Sequence, residues 1–310
     1  MILTITLNPS IDRRYDVGDF EKGKIFRTNK YQYTAGGKGI NVTKVINTFG
    51  DPVLATGFLG GRNGTYIIDK LAKMNIENDF IFINGETRSC INIASSDGSH
   101  TEILESGPTI NEEELNKFYQ LYDSLLDKCN IICASGSLPD GLPVDIYNEL
   151  IKRANKKEKK FILDTSGEPL AKGIIERPYL IKPNTEELSK LIGRNINSEE
   201  DVIRGVKVFI ENGIEVICIS LGDKGALVFN NEYMYRVDIP KVEVMNTVGS
   251  GDSMVAGFAV SLLRGYDFES MLRLSSACGT ANAMELETGK VDLDNVDKLI
   301  NRIKIEKIKI

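Results

Sequence analysis

The 310-residue chain has no tryptophan, one histidine and five cysteines, and each scarcity removes a class of chemistry. A Ser-His-Asp triad or a multi-histidine metal site cannot be built from His100 alone, which lies in the turn Asp97-Gly98-Ser99-His100. Cys90, Cys129, Cys133, Cys218 and Cys278 form an odd set without a C-x-x-C pair, and three of them fall in or beside apolar strand-like runs. Reduced thiols of a cytosolic core account for most of them. No apolar run approaches ~18 residues, and Met1 leads straight into Ile2-Leu3-Thr4-Ile5-Thr6-Leu7 without a cationic leader, so a cytoplasmic protein with no membrane partner is expected. The net charge of -6, with signs interspersed, gives no nucleic-acid surface, and Lys304 to Lys309 reads as a solvated end. The Walker pattern G-x-x-x-x-G-K-[ST] is also missing, which argues against a P-loop nucleotidase.

What is present is 42% hydrophobic and 26% charged, enough for one large domain over 1–310 with an appendage. Apolar strand-like runs at 2–6, 51–58, 130–134, 160–163, 179–181 and 215–219 are mostly separated by helical patterns, including 111–127, 143–156, 185–192 and 198–211. Strands at 225–229 and 233–244 and then helices from Gly251 to the C-terminus complete the reading. This alternation predicts an α/β fold with a doubly wound, mostly parallel central sheet flanked by helices. Two stretches break it, about 13–34 and 87–105, with short mixed strands that predict a small β-sheet lid.

Several loops after strands carry candidate chemistry. Gly249-Ser250-Gly251-Asp252 runs into an apolar helix, so its backbone N–H groups converge on an anion site, with Asp252 either a proton acceptor at the mouth or a helix cap. Gly36-Gly37-Lys38-Gly39-Ile40-Asn41 is a second glycine-rich turn into a helix. Asp12 follows the first strand, where open α/β sheets bind ligands. Asn184 and Glu187 share one face of a helix start, either as water-mediated Mg²⁺ ligands or as a capping pair. Ser135-Gly136-Ser137 could line a pocket or simply turn, and Ser220 to Gly225 reads as a tight hairpin-like turn. Arg88 would project from the lid, as an anion ligand or in a lid salt bridge.

Taken in order, Thr6-Leu7-Asn8-Pro9-Ser10-Ile11-Asp12, Gly36 to Asn41, Ser135 to Pro139, Lys182-Pro183-Asn184 with Glu187, Ser220 to Gly225 and Gly249 to Asp252 resemble the ribokinase-like carbohydrate kinases, the phosphofructokinase B family, from end to end. The resemblance implies ATP and Mg²⁺, a lid that often mediates dimerisation, and γ-phosphoryl transfer to a sugar-phosphate hydroxyl. It assigns Asp252 as base with Gly249, Ser250 and Gly251 as the anion hole. It assigns Asp12, Gly37, Lys38, Asn41 and Ser137 to the sugar side; there Lys38 from the glycine-rich loop and Arg88 from the lid are two cations that fit a phosphate at the far end of the acceptor. Lys182, Asn184, Ser220, Gly222, Gly225 and Asn282 fall to the nucleotide, and Asn184 with Glu187 to the metal through water. The acceptor implied is tagatose 6-phosphate, with fructose 1-phosphate as the alternative. The helix N-terminus is expected to depress the basicity of Asp252. Two rivals are a nicotinamide enzyme, which fails because the third glycine of G-x-G-x-x-G would fall at Met254, and a non-catalytic sugar-phosphate sensor, which would need neither Asp252 nor the Asn184/Glu187 pair.

Overall fold

The structure is a computed structural model that describes residues 1–309. Its strands in chain order are β1 (Ile2–Thr6), β2 (Ser10–Asp16), β3 (Tyr31–Gly36), β4 (Val53–Gly60), β5 (Glu77–Ile83), β6 (Arg88–Ala94), β7 (His100–Leu104), β8 (Ile131–Ser135), β9 (Lys160–Asp164), β10 (Leu180–Ile181), β11 (Val216–Ser220), β12 (Ala226–Phe229), β13 (Tyr233–Asp238) and β14 (Lys304–Lys309). The helices are α1 (Lys38–Thr48), α2 (Gly61–Lys73), α3 (Glu112–Leu126), α4 (Ile146–Lys156), α5 (Gly167–Gly173), α6 (Thr185–Ile192), α7 (Glu199–Glu211), α8 (Ser250–Arg264), α9 (Phe268–Ala283) and α10 (Leu293–Ile300).

Ten strands form the main sheet in the order β14-β13-β12-β11-β10-β9-β8-β1-β4-β5. From β5 to β11 neighbours are parallel, and β12 to β14 add an antiparallel edge. Strands β1, β4 and β8 are buried at every position, as parallel strands covered on both faces must be. One face packs on α3 to α7 through Phe118, Tyr122, Tyr147, Leu188 and Val206. The other packs on α1, α8, α9 and α10 through Val45, Phe258, Leu272 and Val296. A third cluster, with Ile11, Ala35, Ile40, Leu59 and Leu71, seats the root of the lid on α1 and α2.

The lid is a separate four-stranded sheet in the order β3-β2-β6-β7. Its register aligns Asp12 with Thr34 and Cys90, Arg14 with Gln32 and Asn92, and Asn92 with Glu102. Because side chains alternate along a strand, these polar residues share one face, turned to the cleft. Tyr15, Tyr31, Tyr33, Ile91, Ile93 and Ile103 share the other, where Tyr31 and Ile103 are 60% and 53% exposed.

Four expectations change. The lid begins at Ser10 and not near residue 13, so Asp12 sits on a lid strand. Strand β5 was not foreseen, because its acidic, amide-rich start Glu77-Asn78-Asp79 hides the apolar run that pairs with β4. The strand expected to reach residue 244 ends at Asp238, before Pro240, which has no N–H for a ladder. The C-terminal lysines are not a free end. They form β14, paired with β13 from Asp238↔Lys304 to Tyr233↔Lys309, with the Lys307 ammonium 3.8 Å from the Tyr233 ring centroid. Charges along this outer strand suit an edge, where they oppose pairing with another chain.

No helix among the described residues is long and apolar enough to cross a membrane. The fully buried Phe118 ring lies 4.9 Å from Phe58 and stacks at 6.3 Å on Tyr122. Phe118→Ala is expected to lose ~3–5 kcal/mol in denaturant unfolding; a loss below ~1 kcal/mol would mean that α3 is not seated on the sheet as described.

Candidate active site

The carboxyl ends of β9, β10 and β11 present Asp164, Lys182 and Ser220 along one rim of a cleft of about 440 Å³, opposite the polar face of the lid. This is where an open parallel sheet exposes strand ends between its loops. Helices α1 and α8 begin at the same cleft, with Lys38 and Asn41 on one and Gly251 and Asp252 on the other.

The turn into α8 depends on two glycines. Gly249 has φ +84°, and a Cβ there would stand 2.7 Å from Thr288 Cγ2; a Cβ on Gly251 would stand 3.0 Å from Lys182 Nζ. Glycine therefore permits both the left-handed turn and the close approach of Lys182. The Ser253 N–H closes onto Gly249 O at 2.8 Å, and the N–H groups of Gly251 and Asp252 at the helix mouth have no acceptor among the described residues. These donors and the positive end of the helix dipole make an anion site.

Asp252 is buried beside them, and Asn41 Nδ2 donates to its Oδ2 at 2.9 Å. Burial pushes its pKa up to about 6, although Lys38, the Asn41 hydrogen bond and Lys182 pull the other way. The expectation of a depressed pKa fails because desolvation of a buried carboxylate outweighs the helix terminus. The result is a carboxyl group that can take up or release a proton close to neutral pH.

A residue that sequence reasoning missed holds the floor of the site. Asp164, with a side chain 2% exposed, lies 3.5 Å from Lys38 Nζ through Oδ2 and 3.4 Å from Lys182 Nζ through Oδ1. Burial alone would raise its pKa, but Lys182 and Lys38 hold it below the ordinary carboxylate value. Lys38 is in turn raised, chiefly by Asp164 and against its own burial, with Asp252 and Glu187 also in reach. Its ammonium is thus held at the cleft floor by Asp164, with the charge of Asp252 also acting on it. The signal was available: Phe161-Ile162-Leu163-Asp164 is an apolar strand ending in a carboxylate, the same cue that singled out Asp12.

The pfkB family carbohydrate kinase model matches residues 5–293. The chain belongs to that family. It is 41% identical to the tagatose-6-phosphate kinase of Staphylococcus epidermidis over 308 residues, 98% of this chain and 99% of that one. Among solved structures it superposes on a protein from Thermotoga maritima described as a possible 1-phosphofructokinase, with TM-score 0.92 and 28% identity over 100% of both chains. It also superposes on phosphofructokinase-2 of Escherichia coli in complex with potassium, with TM-score 0.91 and 29% identity over 97% and 98%.

The remaining residues read from the sequence fall at different depths in this pfkB kinase. Asp12 faces the cleft, accepts from Ser10 Oγ at 2.7 Å, and has its pKa raised by burial. A Cβ on Gly36 would fall 2.1 Å from its Oδ2, so the first glycine of the loop makes room for this carboxylate. Gly37, at φ +98°, is the N-cap of α1. Among the described residues Arg88 makes no salt bridge: Nε and Nη2 donate to Asn8 O at 3.3 and 3.1 Å, and Nη1 to Glu105 O at 2.9 Å. It clamps the lid to the loop after β1 while still lining the cleft.

Asn184 and Glu187 form the capping pair: Asn184 Oδ1 accepts from the Glu187 N–H at 2.8 Å and Glu187 Oε2 from the Asn184 N–H at 2.9 Å. Both line the cleft, and Glu187 keeps one carboxylate oxygen out of the cap. Asn282 does not face the cleft. Its buried amide donates to Val248 O at 2.9 Å and accepts from Gly289 N–H and Ser253 Oγ, so it braces the turn from behind. Ser137 lies in a neighbouring recess, 3.4 Å from Asn8 Nδ2. Gly222 and Gly225, at φ +64° and +86°, shape the turn beyond Ser220.

The raised pKa of Asp252 generates a signed expectation. Below about pH 6 the carboxyl takes up a proton and can accept no other, so kcat/KM should fall roughly tenfold per pH unit on the acid side. A rate that stays flat to pH 4.5 would remove Asp252 from proton transfer.

Proposed function

We propose that this kinase transfers the γ-phosphoryl group of ATP to a free hydroxyl of a ketohexose phosphate, tagatose 6-phosphate giving tagatose 1,6-bisphosphate. Fructose 1-phosphate is the second acceptor to weigh, since a furanose with a hydroxymethyl arm at each end can present one arm to Asp252 and a phosphate on the other. The observation that carries this reading is the pair formed by Asp252 and the Gly249–Gly251 turn, a near-neutral buried base beside unbonded N–H donors. A sensor would need only the sugar contacts.

The acceptor hydroxyl gives its proton to Asp252, which Asn41 Nδ2 keeps aimed into the cleft. In a loose phosphoryl-transfer transition state that proton leaves late, so orientation and ionisation matter more than strong basicity. Lys38, Lys182 and the N–H groups of Gly251 and Asp252 meet the charge on the oxygens of the transferred group. Ser220, Gly222 and Gly225 lie on the nucleotide side.

Among the described residues no group of three or more His, Cys, Asp or Glu is gathered to hold a metal by itself. The all-oxygen pair Asn184 and Glu187 fits an ion that keeps several waters and arrives with phosphates, which is the habit of Mg²⁺. Bound there, such an ion would offset charge on the nucleotide's phosphates. For the acceptor's own phosphate we assign Arg88 and add Arg14, on the cleft face of β2, in place of Lys38. Among the described residues Arg14 gives only Nε, to Asp16 at 3.2 Å, which leaves its fork of Nη groups for a bidentate grip.

The apolar outer face of the lid, with Tyr31 and Ile103, supports a homodimer formed there. Five unpaired cysteines, four of them buried, support a reducing cytoplasmic setting.

A coupled assay of ADP release with tagatose 6-phosphate, fructose 1-phosphate, fructose 6-phosphate and ribose tests the reading; turnover of none would favour a sensor. Arg14→Ala is expected to raise KM for the phosphosugar ~10-fold with kcat little changed, the loss of one charge-assisted contact. An unchanged KM would put the phosphate elsewhere. Glu187→Gln should raise the Mg²⁺ needed for half-maximal rate more than it alters sugar KM, and an identical Mg²⁺ titration would leave Glu187 as a cap alone.

A further inference from the structure

Lys44 is a buried lysine. It lies on α1, one turn beyond Asn41, and its ammonium donates to Thr288 O at 2.7 Å and to Ala35 O at 3.2 Å. Among the described residues no carboxylate lies within ion-pair distance of it, and burial lowers its pKa. A buried charge that satisfies two backbone carbonyls is costly to keep, so the question is what those carbonyls belong to.

Ala35 is the penultimate residue of lid strand β3, just before Gly36 and Gly37. Thr288 sits in the loop after α9, and that loop braces the anion turn. Its Cγ2 fills the space that a Cβ on Gly249 would need, its Oγ1 accepts from Asn246 Nδ2 at 3.3 Å, and the adjoining Gly289 N–H donates to Asn282 Oδ1 at 2.9 Å. Asn282 then donates to Val248 O in the turn itself. Gly289 also packs against Asn41, the residue that aims Asp252; a Cβ there would stand 2.8 Å from Asn41 Cβ. One ammonium therefore joins the root of the lid, the helix carrying Lys38 and Asn41, and the loop behind the Gly249–Gly251 turn.

We propose that Lys44 is a positioning residue that ties the lid root to the anion turn, so that the two halves of the site keep one geometry. The charged groups facing its ammonium are Glu287 of the loop, Asp12 of β2 and Asp252 of α8. Its cation also favours the ionised form of Asp252, so its loss should move the acid limb of the pH profile to higher pH. The rate argument rests on the kinase reading, whereas the tether does not.

The test compares Lys44→Met, Lys44→Gln and Lys44→Arg by steady-state kinetics, by pH profile and by amide hydrogen exchange of residues 286–289. Expected for Met and Gln are a kcat lowered ~10-fold or more, a sugar KM within about twofold, and an acid limb shifted upward, since a misplacement of about 1 Å can cost 10²-fold. Exchange at 286–289 should quicken in both, and Arg should restore rate, limb and protection. A parent-like kcat with an unmoved limb in Met would overturn the proposal, as would quickened exchange without a rate change. Failure of both neutral variants to fold would also overturn it, by making Lys44 a stability residue. If the parent turns over no sugar phosphate, the functional reading fails, and unchanged exchange in the variants would sink the tether by itself.

Discussion

The site depends on one buried carboxylate held between two ammoniums. Asp164 takes Lys38 from the start of α1 and Lys182 from the loop after β10, elements far apart in the chain, and fixes both at the cleft floor. A buried carboxylate with one partner removed would be a severe defect, and two neighbouring lysines without the carboxylate would repel. The three groups together carry one net positive charge, so the floor stays attractive to phosphate after the lysines have been ordered. Order comes first here, since a lysine fixed in advance spends no side-chain entropy when an anion arrives.

The glycines around this triad work as absent volume. A Cβ on Gly39 would lie 2.3 Å from Thr6 Oγ1 and 2.6 Å from Ile5 O, so the start of α1 can press onto β1 only without a side chain there. Gly57, at φ +145°, allows the same approach between β4 and Thr6 O. The Gly39 approach lets α1 lie down on β1, where Lys38 reaches Asp164 and Asn41 reaches Asp252. Glycine supplies the distance and the charged groups supply the direction.

Much of this was legible in the sequence because strand ends, glycine-rich turns and helix starts are local patterns. The parallel core, the two-part lid and both anion-facing turns follow from such patterns. What was not legible depends on distance in three dimensions. The partner of Lys38 lies 126 positions away by number, and neither flanking sequence hints that Asp164 captures it. Asn282 was read by position as a nucleotide contact, yet its amide is consumed by Val248, Gly289 and Ser253, an accounting that needs coordinates. Asp252 was misjudged in sign because a helix terminus can be read from sequence, while burial cannot. The Lys304–Lys309 strand was misread for a related reason: an edge strand carries the charges that make a segment look like a solvated tail.

The lid shows how one periodicity can serve two tasks. Along β2 the even positions Ser10, Asp12 and Arg14 face the cleft, while Ile11, Arg13 and Tyr15 face away, and β6 repeats the pattern with Arg88, Cys90 and Asn92 against Ser89, Ile91 and Ile93. A shift of one residue in register would carry every member of one set to the other face. Such a slip would put an isoleucine where Asp12 stands and expose Asp12 on the apolar side. The buried Ile11 resists this, because it is locked into the cluster with Ile40, Leu59 and Leu71 beneath the lid. The register of the lid's cleft face is therefore set from below by apolar packing at the lid root. The polar residues that face the cleft inherit their positions from it.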